Sequence, residues 1–186
     1  MFQQSLPAAA ILVLMSLFPA RAIETPEHTV VTKDGKFEVR DYPALTIVRT
    51  PMGEGDFMRL FKFISGGNEG GQKIAMTAPV LTKAAGEAAG MSFILPKEVA
   101  AGPVPKPTGE AVALDTIPPA RMAVFTFSGG RNDRNEAEAL ESLRGWMKTR
   151  GLEATGDPIF AYYDPPWIPT FLRRNEAMIP VAVAQP

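Results

Sequence analysis

The order of elements in this chain repeats, and the repetition constrains the fold more than any other feature. By periodicity, Leu45–Arg49 reads as a strand leading to a helix over Asp56–Ser65, then to strands at Ile74–Leu81 and Met91–Leu95. Later, a strand at Met122–Phe127 leads to a helix over Asp133–Arg150, then to strands at Ile159–Tyr163 and Met178–Val183. Residue identity between the two runs is low, so the repeat is one of pattern. Each helix carries one apolar stripe and needs a sheet to cover it. Two similar β-α-β-β halves meet that need when both helices flank one curved antiparallel sheet. The reading is a single α+β domain.

The helix limits follow from end signals. In the first helix, Asp56 is the expected N-cap, and Phe57, Leu60, Phe61 and Ile64 recur at i, i+3, i+4 and i+7. Gly66-Gly67 stops it. In the second, Asp133 with Glu136 has the spacing of a capping box, and Ala137, Leu140, Leu143 and Met147 form the expected buried stripe. Lys148 and Arg150 suit its negative end, and Gly151 follows. Further short strands fall at Lys36–Arg40, Thr46–Val48 and Val112–Leu114. Residues 84–90 and 100–109 read as surface loops, the second stiffened by Pro103, Pro105 and Pro107.

Composition matters mainly for what it removes. There are no cysteines, which excludes disulfides, thiolate metal sites, a cysteine nucleophile and covalent haem attachment through thioethers. A single histidine, His28, excludes a multi-histidine metal site and leaves one possible base for serine chemistry. The net charge of -1 makes no electrostatic case for nucleic acid or an anionic membrane. Gly66-Gly67 and Gly70-Gly71 follow a helix instead of leading into one, so they are not a phosphate loop.

Leu6–Ala20 is apolar throughout, short for a membrane span and suited to a signal-peptide core. Ala20-Arg21-Ala22 is a small-x-small cleavage site, although Met1–Leu6 carries no Lys or Arg. The expectation is a signal peptide over residues 1–22 and a periplasmic or secreted mature domain over 23–186. Loss of Arg21 leaves 18 basic against 20 acidic residues, a net charge of -2.

Two separated motifs carry a family resemblance. The first runs from Phe57 through Ser65-Gly66-Gly67-Asn68 to Ile74-Ala75-Met76-Thr77-Ala78-Pro79-Val80. The second runs from Tyr163-Asp164-Pro165-Pro166-Trp167 to Arg173-Arg174-Asn175-Glu176. In this order they resemble the SOUL haem-binding family over nearly all of Ile23–Val183. The resemblance implies a distorted antiparallel β-barrel of two similar halves with two flanking helices. It also implies non-covalent binding of haem or a related tetrapyrrole, without catalysis, in an apolar groove beside the first helix.

Haem is a flat apolar ring with two carboxylates, so a site needs aromatic or aliphatic walls and one or two cations. The first helix offers Phe57, Met58, Phe61 and Ile64 as wall and Arg59 and Lys62 as cations. The stripe containing Phe57 and Phe61 is assigned first to the core, which makes Met58, Arg59 and Lys62 the better ligand candidates. Trp167 offers a ring to stack on a porphyrin face, at a place where some relatives have a basic residue. His28 is poorly placed as an iron ligand, and no metal ligand is assigned. Arg173–Glu176 is read as a structural turn in which an arginine pairs with Glu176 and Asn175 caps the loop. The alternative to tetrapyrrole binding is the same fold binding another apolar small molecule or a protein partner.

Overall fold

A computed structural model describes residues 23–182, apart from 85, 87, 88 and 110. The expected export segment lies outside the described residues. The elements run in the order β1 (Thr29–Asp34), β2 (Phe37–Tyr42), β3 (Leu45–Thr50), α1 (Asp56–Ile64), β4 (Val80–Lys83), β5 (Gly90–Ile94) and α2 (Lys97–Ala100). They continue with β6 (Ala113–Ile117), β7 (Ala120–Phe127), α3 (Asp133–Thr149), β8 (Ile159–Tyr162) and β9 (Asn175–Pro180). A 3-10 turn at Thr170–Leu172 lies between the last two strands.

The nine strands form one antiparallel sheet in the order β1-β2-β7-β9-β8-β4-β5-β3-β6. The repeat is visible in it: β3-α1-β4-β5 makes one half and β7-α3-β8-β9 the other, joined where β4 pairs with β8. Each half is preceded by a strand that it gives to the other half. β2 leads into β3 but pairs with β7, while β6 leads into β7 but pairs with β3. This exchange ties the halves together through long-range pairing.

The barrel expected from the family is not what forms. The edge strands β1 and β6 do not pair, so the sheet stays open. β1 is exposed along its whole length and has nothing to close upon. Among the described residues three α-helices occur instead of two, α2 being a four-residue addition. The strand expected over Ile74–Leu81 is also shorter. Only Val80 onward joins the ladder, after a cis Ala78–Pro79 bond. Proline lacks the donor a ladder needs.

α1 and α3 lie on one face. Leu60, Phe63 and Ile64 of α1 pack with Val48, Met91 and Phe93. Leu143, Trp146 and Met147 of α3 pack with Ala123, Ala177 and Ile179. The register places Val80 of the first cluster opposite Tyr162, which borders the second. The other sheet face bears Ile47, Leu81, Ile94, Met122, Ala161 and Met178. Among the described residues no helix covers that face, yet these side chains are buried. The sheet must therefore curl over them. The exchanged connections Tyr42-Pro43-Ala44-Leu45 and Ile117-Pro118-Pro119-Ala120 run between its two wings as straps.

The second helix begins one residue earlier than its capping-box pattern predicts. Asn132 is the N-cap, its side-chain oxygen accepting the Asn135 N–H at 2.9 Å. Its buried stripe is Ala139, Leu143, Trp146 and Met147, with Ala137 exposed. Glu136 is left to accept a hydrogen bond from the Tyr162 hydroxyl.

Candidate functional site

α1 presents to solvent two of the aromatic residues that its sequence assigns to the core. Leu60, Phe63 and Ile64 are the buried set. Phe57 is 40% exposed and Phe61 42% exposed. The sequence permits either stripe, since phenylalanines stand at 57, 61 and 63. Packing against β3 and β5 selects the one centred on Phe63. The consequence favours binding, because Phe57 and Phe61 lie stacked on the outer side, ring centroids 6.1 Å apart and planes 13° apart. Phe57 is held from behind by an edge-on contact with Phe93 at 5.2 Å. Met58 is exposed beside them.

The start of α1 explains why Arg59 is not a free cation. Gly55 occupies the left-handed region at φ 73°, and Asp56 is the first helical residue instead of the cap. Arg59 then folds back over this turn. Its Nε donates to Thr50 Oγ1 at 2.8 Å, Nη1 to the Glu54 carbonyl at 2.7 Å and Nη2 to the Pro51 carbonyl at 2.9 Å. All three nitrogens are committed to the loop. Lys62 is exposed and has no carboxylate partner among the described residues.

A further cation was not legible as such. Arg131, in the loop before α3, lies with its guanidinium 5.5 Å from the Tyr162 ring centre. Its Nη2 reaches the Met52 sulfur just ahead of α1, at 3.8 Å. It has no carboxylate partner among the described residues and so offers charge near α1. In the sequence it is one arginine in a Gly-Gly-Arg-Asn turn, and only the folded loop brings it toward Met52.

The glycine-rich end of α1 is structural. A side chain on Gly67 would place its Cβ 2.7 Å from the Lys62 carbonyl oxygen, so only glycine fits. Asn68 is buried, and its Nδ2 donates to the Phe63 and Gln72 carbonyls at 2.8 Å each. Its Oδ1 accepts the Gln72 N–H at 3.0 Å. Thr77 donates to the Ile94 carbonyl at 2.5 Å, pinning the motif to β5.

The second motif builds a rigid loop and a buried charge cluster. Arg173 donates to the Pro166 and Ile168 carbonyls, and Asp164 accepts the Arg174 N–H at 2.6 Å. Trp167 is thereby held outward, 78% exposed, with Phe171 and Leu172 also exposed. The loop is linked to the α3 entry by the Gly129 N–H donating to the Thr170 carbonyl at 3.0 Å. Asn175 does not cap its own loop as expected; its Nδ2 donates to the Gly129 carbonyl at 2.9 Å and ties β9 to the loop before α3.

Glu176 is 0% exposed. Its Oε1 and Oε2 accept from Arg40 Nη2 and Nη1 at 3.1 and 3.0 Å. Arg174 adds a bond at 2.7 Å and the Tyr163 hydroxyl one at 2.8 Å. Burial alone pushes the Glu176 carboxyl up, but the Arg40 guanidinium, helped by Arg174 and Tyr163, outweighs it and holds the carboxyl below its ordinary value. Burial, with Glu176 beside it, pushes the Tyr163 hydroxyl well above its ordinary value. The cluster is satisfied and neutralised, which marks it as structural.

His28 lies away from α1, its Nδ1 donating to the Pro26 carbonyl at 3.3 Å and its ring resting 5.0 Å from the Tyr42 ring. Among the described residues there is no cluster of three or more His, Asp or Glu suited to a metal ion, and no helix long and apolar enough to cross a membrane.

The sequence matches the model of the family described as SOUL heme-binding protein over residues 23–180. The chain belongs to this family. No curated protein matches it. Among solved structures, this SOUL chain resembles the EcmrR C-terminal domain with a TM-score of 0.52 and 15% identity, over 80% of this chain and 98% of that one. It also resembles a hydrolase from Listeria innocua with a TM-score of 0.55 and 14% identity, over 82% of this chain and 94% of that one. Likenesses at such identities show a shared fold alone.

Proposed function

We propose that this protein binds haem or a related tetrapyrrole non-covalently on the outer face of α1, as an exported carrier, buffer or sensor without catalytic activity. The family match over residues 23–180 supports the ligand class. The observation that carries the location is the stacked, outward-facing pair Phe57 and Phe61. Exposed aromatic surface of this kind costs free energy in water and marks binding faces. Two nearly parallel rings exposed on one helix offer apolar surface to a macrocycle, with Met58 beside them.

The residues present fit the group's other requirements in part. Lys62 and Arg131 are the cations available for the propionates, and Arg59 serves the loop. Trp167 supplies a second apolar surface from the β8–β9 loop. An iron ligand is not needed to hold the ring, and His28 is placed elsewhere. When bound, the group supplies whatever redox or signalling chemistry the role needs, while the protein supplies walls and charge.

Titration of the mature protein with haem and with iron-free protoporphyrin tests the proposal. Both should give a saturable change in the Soret band with comparable affinity. Lys62→Glu or Arg131→Glu should weaken binding roughly 10- to 150-fold, the factor equivalent to one charge-assisted hydrogen bond. Phe61→Ala and Trp167→Ala should weaken it through lost contact, without unfolding. Unchanged binding in all four variants would place the ligand elsewhere. Export predicts a mature N-terminus at Ile23, read by N-terminal sequencing.

A further inference from the structure

We infer that the helix-free face of the sheet holds a second binding site, for a small uncharged molecule of about two rings bearing one hydrogen-bonding group. The site is a cavity of about 350 Å³ between the wings of the curled sheet. Its floor is apolar, formed by Ile47, Leu81, Met122 and Ile159, and Ile117 and Ala120 of the β6–β7 strap overhang it. A smaller apolar recess lined by Tyr42, Ile94 and Met178 shares the same floor. A cavity of ~150 Å³ takes one benzene ring. On that scale this space holds two rings and excludes a macrocycle built from four.

Three features define the ligand's chemistry. First, Ser92 lines the cavity, its hydroxyl has no hydrogen-bond partner among the described residues, and no buried side-chain oxygen there is left unpaired, so the hydroxyl is open to the cavity space. Its register opposite Leu81 and Arg49 sets it on the cavity side of β5. A ligand hydroxyl or carbonyl would bond this hydroxyl in place of solvent. Second, the charges around the mouth are already matched. Arg49 pairs with Asp115 at 2.8 Å, and Lys83 with Asp157 at 3.3 Å. Two cations against two anions leave no net charge to attract an ionic ligand. Third, Glu176, the buried carboxylate on this face among the described residues, is neutralised by Arg40 and is not among the lining residues. An ion entering the cavity would lose its hydration without a counter-charge.

This site is independent of the α1 surface and stands or falls apart from tetrapyrrole binding. The test uses 2-naphthol as a fluorescent probe of the mature protein, beside naphthalene, 2-naphthoate and 2-naphthylmethylammonium. The expected result is saturable 2-naphthol binding, with both charged analogues at least about tenfold weaker, as desolvation of an unpaired charge requires. Ser92→Ala should weaken 2-naphthol by about 2- to 12-fold, the range for one net hydrogen bond, and leave naphthalene unchanged. Ala120→Phe should fill the cavity and abolish binding of both. Lys62→Glu and Trp167→Ala should leave 2-naphthol binding intact. Absence of saturable 2-naphthol binding overturns the proposal. So does equal affinity for either charged analogue, or unchanged binding in a folded Ala120→Phe protein. Loss of 2-naphthol binding in Lys62→Glu would move its site to α1 and refute this location.

Discussion

Arg40→Met removes the strongest partner of a fully buried carboxylate, and its cost can be worked from the geometry. Methionine keeps much of the aliphatic volume and removes the charge. Glu176 loses two charge-assisted bonds, at 3.0 and 3.1 Å, and keeps those from Arg174 and Tyr163. Two such bonds are worth about 3–6 kcal/mol, and stranding one partner of a buried pair costs about 3–5 kcal/mol. Because Arg174 still neutralises the carboxylate, the low end applies, about 3 kcal/mol. For a domain of this size each kcal/mol shifts the melting temperature by about 2–4 °C, so a fall of about 6–12 °C is expected.

Acidification supplies the internal control. The Glu176 carboxyl is held below its ordinary value of 4.5 in the folded protein. Its contribution is therefore fully present above that value and is lost as pH falls through the lower, folded value. The gap between wild type and Arg40→Met should narrow below about pH 4.5. The double variant Arg40→Met/Glu176→Leu should recover more than half of the loss at neutral pH, since removing both charges leaves no buried ion unpaired. Calorimetric or circular-dichroism melts across pH measure all three. An Arg40→Met melt within about 2 °C of wild type, or a double variant no more stable than the single, would refute the reasoning.

Further outcomes follow from the same packing. Phe63→Ala should cost about 3–5 kcal/mol in urea denaturation, as large aromatic truncations in cores do, while Phe61→Ala on the exposed face should stay within about 1 kcal/mol. Asn68→Ala removes three hydrogen bonds from the turn after α1 and should cost about 3 kcal/mol, read by the same denaturation. Gly67→Ala should destabilise by about 1–3 kcal/mol, because its Cβ meets backbone that cannot yield. His28→Ala should leave haem affinity unchanged in the Soret titration, since His28 lies against Tyr42 and away from α1.

What the sequence could and could not say divides by the range of the interaction. Helix ends, the β-α-β-β order and the glycine-asparagine turn are local, and their signals lie within a few residues of each other. The strand exchange is not local: nothing near Phe37–Tyr42 specifies pairing with Ala120–Phe127 instead of a partner in its own half. Closure is equally non-local: the sheet is open because its edge strands β1 and β6 do not pair. Arg40 and Glu176 are 136 residues apart, and an arginine in an alternating strand is ordinarily read as a solvated position. The face of α1 was a choice between two valid stripes, and only the sheet beneath it decides for Phe63 over Phe61. That choice changes the candidate site most. Phe57 and Phe61 pass from core to exposed wall, and Arg59 passes from cation to loop clamp. Arg131 comes into range from the loop before α3, reaching Met52 across 79 residues of sequence. Helical periodicity reports that a helix has an apolar side, but it cannot report which of two overlapping apolar sides meets the sheet.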